Sequence, residues 1–341
     1  MKLQIIICAL LINTVYGQCP WWWCEDPGDP PPLGSYGADA DQVSASGVSS
    51  GGYMAIQMHV AYSASVMGSG VLAGGPYHCA EDTVSKAIGA CMNSPEEIIV
   101  QDLIDYTDSS ASKGDIDATS NFASGKTWLF SGSMDNTVDP GVMVALEDYC
   151  KHYMPTWNIA TEYGIPAGHA MITEHYGNIC AAEKSPYIND CDYPAAYVLM
   201  NHIYGGNLRK PSSYGGAMPG DMLAFDQTEL EPTFVGSTSL DTVGYIYVPT
   251  GCISTPGCKL HIAIHGCLQG RHALDEEYAL NTGYNEVGEE NDIIIVYPQV
   301  TTSLGNANGC WDWWGYTNSN YDLKSGVQME FMKNIIDRVT S

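Results

Sequence analysis

The sequence predicts an α/β fold, a mostly parallel central sheet with helices on both faces, in which the opening half of the fold comes last in the chain. Three observations lead there. Apolar strand-like runs alternate with helix-like runs along most of the 341 residues. One strand-to-helix junction carries Gly-x-Ser-x-Gly. Little chain precedes that junction, and the strands that should lead into it are found near the C-terminus instead.

The junction lies within 43–62. Val43, Ala45 and Gly47 alternate as a strand does, and Met54, Ala55, Met58, Ala61 and Tyr62 recur as a helix does. Between them Gly47, Val48, Ser49, Ser50 and Gly51 spell the motif of a nucleophile elbow. The turn is strained and the helix passes close to the strand, so a Cβ at Gly47 or Gly51 would clash. Ser49 is the candidate nucleophile. The backbone N–H of Ser50, at the helix N-terminus, is a candidate oxyanion donor. Without a histidine and an acid downstream, the motif would be a common loop pattern.

Downstream, 66–73 reads as a second strand, ended by Gly74, Gly75 and Pro76, and a helical stretch spans 95–106. A third strand spans 126–131. Asp139 and Pro140 fit the N-cap and first position of the next helix, which leaves Asp135, just past the strand end, as the candidate acid. A fourth strand, 157–163, leads into Pro166, Ala167, Gly168 and His169, a glycine-containing loop that can bring a histidine beside a serine at the same sheet edge. His78 and His175 are its nearest rivals. The order Ser49, Asp135, His169 matches nucleophile, acid and base in α/β-hydrolases.

That fold places several strands ahead of the elbow, one of them carrying the loop that completes the oxyanion hole. Here strand-like runs at 244–249 and 259–265 come late, the second ending in His265, Gly266, Cys267, Leu268 and Gln269. Gly266 permits close substrate approach, and the Cys267 N–H is the second candidate donor. A helical stretch over 271–290, an apolar strand over 292–297 and a terminal helix bearing Met332, Ile335, Ile336 and Val339 complete the set. The expectation is a circularly permuted α/β-hydrolase, a single catalytic domain over 42–341. The junction of its exchanged halves falls near 205–243, where a core helix with Tyr193, Tyr197, Leu199 and His202 gives way to a Gly, Pro and Ser-rich linker at 205–220. Near the end, Trp311, Trp313, Trp314 and Tyr316 crowd one loop, which suits either a plug for the sheet end or, the favoured reading, an apolar wall for the substrate.

Composition sets the boundaries. A formal charge of −26 with 13 basic residues argues against nucleic-acid or anionic-membrane partners, and the acidic surface also serves solubility. Residues 1–17 have the form of a secretory signal peptide, so a secreted monomer with disulfides is expected. Near neighbours suggest Cys19 with Cys24, Cys79 with Cys91, Cys180 with Cys191, and Cys252 with Cys258. Of Cys150, Cys267 and Cys310, at least one is left over. Cys150 is the candidate for the free thiol, and a Cys267 to Cys310 pair would tie the aromatic loop to the oxyanion loop. No cysteine and histidine spacing matches a zinc site, and no cofactor or metal is expected. The 18–41 segment opens with Trp21, Trp22 and Trp23 between two cysteines. This cluster suits either adsorption to a hydrophobic polymer or a lid over the domain's own apolar surface.

Taken together, GVSSGG from Gly47, VAYS from Val60, AGGPY from Ala73, LHIAIHGCLQ from Leu260, NTGY from Asn281 and GCWDW from Gly309 resemble the secreted, fungal-type polyhydroxybutyrate depolymerases. The likeness runs from about Gln42 to the C-terminus, and the tryptophans at 21–23 stand outside it. It implies hydrolysis of poly(3-hydroxybutyrate) and related short-chain polyesters through an acyl-enzyme. The implied residues are nucleophile Ser49, acid Asp135, base His169, oxyanion donors at Ser50 and Cys267, and substrate-lining Trp311. A feruloyl, acetylxylan or cutinase-like esterase is the alternative within enzymes, because one triad serves many esters. A non-catalytic polymer-binding module is the alternative outside them.

Overall fold

The computed structural model describes residues 29–216 and 218–341. The expected signal peptide, the expected Cys19 to Cys24 pairing and the Trp21, Trp22 and Trp23 cluster lie outside the described residues. In chain order the strands are β1 (Val43–Val48), β2 (Gly68–Leu72), β3 (Lys126–Phe130), β4 (Ile159–Glu162), β5 (Met171–Thr173), β6 (Asn178–Ile179), β7 (Ile188–Asp190), β8 (Asp221–Asp226), β9 (Val243–Val248), β10 (Lys259–Ile264) and β11 (Ile293–Tyr297).

Eight of them form one sheet in the order β4-β3-β2-β1-β10-β11-β9-β8. It is parallel from β4 to β11, with β9 and β8 added antiparallel. The elbow strand β1 therefore sits mid-sheet, between its sequence neighbour β2 and the late strand β10, with Gly47 in register with Ile264. This is why a loop more than two hundred residues away can reach Ser49. A smaller sheet, β5-β7-β6, stands beside the histidine loop.

Alternation along each strand divides the interior in two. Val43, Ala45, Leu260, Ile262, Ile294 and Val296 join one core with Met54 and Met58 of the helix Ser50–Ala61 and Ile335 of the helix Val327–Thr340. Val48, Ala263, Ile293, Ile295 and Tyr297 join the other, with Leu199 of the helix Ala195–Ile203 and Val287 of the helix Tyr284–Asn291. Both faces are covered, as a parallel sheet requires. The helix Ser50–Ala61 is buried at every position, which explains why its apolar residues are not confined to one face.

On the second face β1 carries a polar network at Ser44 and Ser46 beside the apolar Val48. Ser44 and Ser46 bond the two ring nitrogens of His261, each at 2.7 Å, and Ser46 also meets Tyr284 Oη at 2.6 Å. Burial pushes His261 down to about 3, so the ring is neutral and each nitrogen has a partner.

Three expectations need correction. The 271–290 stretch is not one helix but three short ones, Arg271–Leu274, Glu277–Asn281 and Tyr284–Asn291, because Asp275 (φ 48°) and Gly283 (φ 83°) take left-handed backbone between them. Beyond the expected linker the chain forms the edge strand β8. The 157–163 strand is shorter than read, since Thr156–Asn158 is a single 3-10 turn.

Candidate active site

Ser49 follows β1 at φ 58° and ψ −125°, a conformation that non-glycine residues seldom hold. Its N–H donates to Leu72 O at 2.9 Å, so the ladder with β2 continues through the turn and pins it. A Cβ on Gly47 would strike the carbonyls of Gly51 and Ile264, and one on Gly51 the carbonyls of Ile264 and His265. Both glycines are thus required by backbone passing backbone.

Asp135 lies in the loop after β3. Two backbone bonds lay this loop against the chain before His169, Ser133 N–H to Ile165 O at 2.9 Å and Met134 N–H to Ala167 O at 3.1 Å. The Asp135 Oδ1 accepts from the N–H groups of Thr137 and Val138, each at 2.9 Å. Its Oδ2 accepts from His169 Nδ1 at 2.8 Å. Both residues are buried, each 7 % exposed. A carboxylate cannot donate, so His169 carries its proton on Nδ1 and keeps Nε2 free as a base. Asp139 caps the next helix as expected, accepting from Gly141 N–H at 2.8 Å.

The loop after β10 completes the site. His265 is fully buried and pushed down to about 4 by burial. Its Nδ1 donates to Gly266 O at 2.7 Å and its Nε2 accepts from Val300 N–H at 3.3 Å, so it shapes the loop and takes no part at the cleft. Gly266 N–H goes to Gln269 Oε1 and Leu268 N–H to Asn308 O, each at 2.8 Å. The Cys267 N–H between them has no protein acceptor among the described residues. Nor has the Ser50 N–H a helical partner, because it opens its helix. These are the properties of paired oxyanion donors.

Ser49, His169 and Cys267 line one cleft of about 370 Å³ whose remaining wall is mainly apolar, with Val84, Ile88, Trp313 and Trp314 contributing. Trp313 stacks on Tyr53, centroids 4.0 Å apart and 9° from parallel. Trp311 was expected there and is not. It is wholly buried, its ring centroid 5.7 Å from that of His265, and its backbone N–H donates to Ser50 Oγ at 3.3 Å, so it backs the elbow from within the core. The reversal is organised by Asp312, a residue sequence reasoning passed over. This wholly buried carboxylate accepts from the N–H groups of Trp314, Gly315, Tyr316 and Thr317 and from the Thr317 hydroxyl, curling the loop so that Trp311 points in and the next tryptophans point to the cleft. Burial raises its proton affinity, and the bonds from Thr317, Tyr316 and Gly315 oppose the rise.

The rival histidines have other partners. His78 Nδ1 meets Asp322 Oδ2 at 2.7 Å and its ring stacks on Tyr106, while His175 stacks on Tyr214. Cys79–Cys91, Cys180–Cys191, Cys252–Cys258 and Cys267–Cys310 are disulfides, and Cys150 is free and buried. The last bridge fixes the loop after β10 to the aromatic loop. Among the described residues, no group of three or more His, Cys, Asp or Glu side chains is placed to hold a metal ion, and no helix is long and apolar enough to cross a membrane.

A sheet with this strand order, an elbow serine mid-sheet and a His–Asp pair at the same edge define an α/β hydrolase. Comparison with known proteins narrows the class. The chain matches no protein-family model. It is 42 % identical over 308 residues to a poly(3-hydroxybutyrate) depolymerase of Delftia acidovorans, an alignment covering 89 % of this chain but 60 % of that protein. It is 35 % identical over 326 residues to a polyhydroxybutyrate depolymerase of Talaromyces funiculosus, covering 91 % of this chain and 92 % of the relative. The solved structure of the PHB depolymerase from Penicillium funiculosum superposes with a TM-score of 0.81 at 33 % identity, covering 91 % of this chain and 98 % of that one. A serine-to-alanine PHB depolymerase complexed with an R3HB trimer gives the same figures. The chain belongs to the polyhydroxybutyrate depolymerase family.

Proposed function

We propose that this chain is a secreted serine esterase that hydrolyses poly(3-hydroxybutyrate) and its oligomers through an acyl-enzyme, on a circularly permuted α/β-hydrolase fold. The observation that carries the reading is the meeting in one apolar cleft of Ser49, on its strained turn, with His169, whose Nδ1 is 2.8 Å from Asp135 Oδ2. A relative of this chain, as a serine-to-alanine variant, has been solved with an R3HB trimer, which supports the polyester.

In the proposed sequence Ser49 Oγ attacks the ester carbonyl carbon while His169 Nε2 takes its proton. The carbonyl oxygen gains negative charge and is received by the N–H groups of Ser50 and Cys267. The C–O bond to the alcohol then breaks, and His169 returns the proton to the departing alkoxide. Water, deprotonated by the same nitrogen, attacks the acyl carbon; the bond to Ser49 Oγ then breaks, His169 returns the proton to Oγ, and the acid leaves. Asp135 holds the imidazole in the productive tautomer and stabilises its charged form. Trp313 and Trp314 offer apolar contact to the substrate.

Four disulfides support an oxidising destination. Action as a monomer belongs to the same proposal, as does adsorption to the polymer through Trp21, Trp22 and Trp23, a role that rests on sequence alone. The test is incubation of the purified protein with a poly(3-hydroxybutyrate) film and, separately, with a soluble feruloyl ester. Clearing of the film with release of hydroxybutyrate oligomers is expected. Turnover of the feruloyl ester with an untouched film would reject the polyester reading.

A further inference from the structure

The loop closed by Cys180–Cys191 bonds to the chain beside the acid, to the base and to the loop after β10, and one side chain in it has a position no sequence pattern announces. Glu183 Oε1 accepts from Asn136 N–H at 2.6 Å and from His169 N–H at 3.2 Å. Asn136 follows the acid and His169 is the base, so a single carboxylate oxygen joins the two loops. The backbone bonds between those loops stop at Ala167, two residues before His169. Past that point the ties are the Asp135 to His169 bond itself and Glu183.

The rest of the loop is built to hold Glu183 in place. Gly168 N–H donates to Cys180 O at 2.9 Å, and Asn189 Nδ2 braces the loop from inside, donating to Cys180 O at 2.9 Å and Ala182 O at 2.7 Å. Gly168 must lack a side chain here, since a Cβ would lie 2.7 Å from Ala182 O and 2.8 Å from Glu183 Cγ. On its other flank the loop meets the oxyanion loop, where Gln269 Nε2 donates to Tyr187 O at 2.8 Å while Gln269 Oε1 receives Gly266 N–H. Glu183 makes no ion pair among the described residues. Placing a carboxylate near Asp135 in a chain of net charge −26 is electrostatically unfavourable, and the two amide bonds offset that cost.

We propose that Glu183 is a positioning residue for the hydrolysis. By drawing the amides of Asn136 and His169 to one oxygen it fixes the spacing of the Asp135–His169 pair, and through it the reach of His169 to Ser49. The inference rests on the triad reading above. Its strength comes from geometry, because a misplacement of about 1 Å between reacting groups can cost on the order of a hundredfold in rate.

The experiment compares E183A, E183Q, E183D and H169A on a soluble chromogenic butyrate ester, with kcat and KM separated and thermal melts recorded. Both amides go to the same oxygen, so Gln keeps the acceptor where it is needed, whereas Asp keeps the charge but withdraws it by a methylene. The expected order of kcat is wild type, then E183Q, then E183D and E183A, with E183A down about tenfold or more and KM within about twofold. A charge effect alone would reverse Gln and Asp, and a general loss of stability would follow the melts instead. The proposal is overturned by E183A within twofold of wild-type kcat, by an effect confined to KM, or by E183D surpassing E183Q. If E183A does not fold, the order of E183Q and E183D decides alone. H169A distinguishes the two levels: activity surviving there sinks the triad reading, whereas an inactive H169A beside wild-type Glu183 variants sinks only this inference.

Discussion

Replacing Asp135 with Asn tests the base assignment sharply, because the structure dictates which way the amide must turn. Oδ1 already accepts two backbone N–H groups, from Thr137 and Val138, at 2.9 Å each. An amide keeps those bonds only with its oxygen on that side, which turns its NH2 toward His169 Nδ1. Flipping it would face NH2 against two N–H donors and forfeit two hydrogen bonds, each worth about 1 kcal/mol before the cost of leaving the buried donors unpaired. The unflipped Asn donates to Nδ1 and so fixes the proton on Nε2, the nitrogen that must accept from Ser49. The expected fall in kcat is about 10⁴-fold, near 5.5 kcal/mol of transition-state stabilisation, with KM little changed and the melt close to wild type. Steady-state kinetics on a soluble butyrate ester at neutral pH reads this directly. A loss under about tenfold would mean that the pair 2.8 Å apart does not set the tautomer, and the assignment of His169 as base would fall.

Two further outcomes follow from packing and from buried histidines. Gly51→Ala directs a methyl at the carbonyls of Ile264 and His265, backbone that cannot swing aside, so a destabilisation of at least about 3 kcal/mol is expected, seen as poor soluble yield or a lowered melting temperature. A normal melt would refute the close approach of helix and strand. His59 and His261 are pushed down to about 3 and His265 to about 4 by burial, whereas the unfolded chain binds those protons near 6.5. Protons therefore favour the unfolded state. This contribution to stability is fully present above pH 6.5 and declines as the pH falls toward 4, by up to about 1.4 kcal/mol per pH unit for each histidine. Chemical denaturation at intervals between pH 7.5 and 5 measures the slope, and a flat profile would mean the rings are not held neutral.

How much of this was legible beforehand depends on how local the signal was. The elbow was readable because its constraint is written in adjacent residues, Gly47 and Gly51, each demanded by backbone that a Cβ would strike. Asp139 was separable from Asp135 because Pro140 marks a helix start. The four bridges among the described cysteines match the near-neighbour and loop-to-loop pairings expected, and Cys150 is the free thiol.

What was missed lacks periodicity. Strand β8 is an edge strand, half exposed, and its Asp-Met-Leu-Ala-Phe-Asp run gives little alternation to detect. Strands β5, β6 and β7 are two or three residues each, too short to show a period. The aromatic loop misled for the same reason. With no regular repeat, nothing in Cys-Trp-Asp-Trp-Trp says which rings face inward, and the answer lies in Asp312 collecting four consecutive N–H groups. Glu183 was invisible because its partners, Asn136 and His169, are distant in sequence. Its one clue was membership of a disulfide-closed loop that begins shortly after the candidate base.

The central claim is that Ser49 is the nucleophile. Treatment with a phosphonofluoridate or sulfonyl fluoride, followed by peptide mapping, tests it without any assumption about the natural ester. One adduct per chain is expected on the peptide containing Ser49, formed in step with loss of esterase activity and absent from an inactive Ser49→Ala variant. Inactivation with the label on another residue, or a Ser49→Ala variant that still turns over ester, would contradict it.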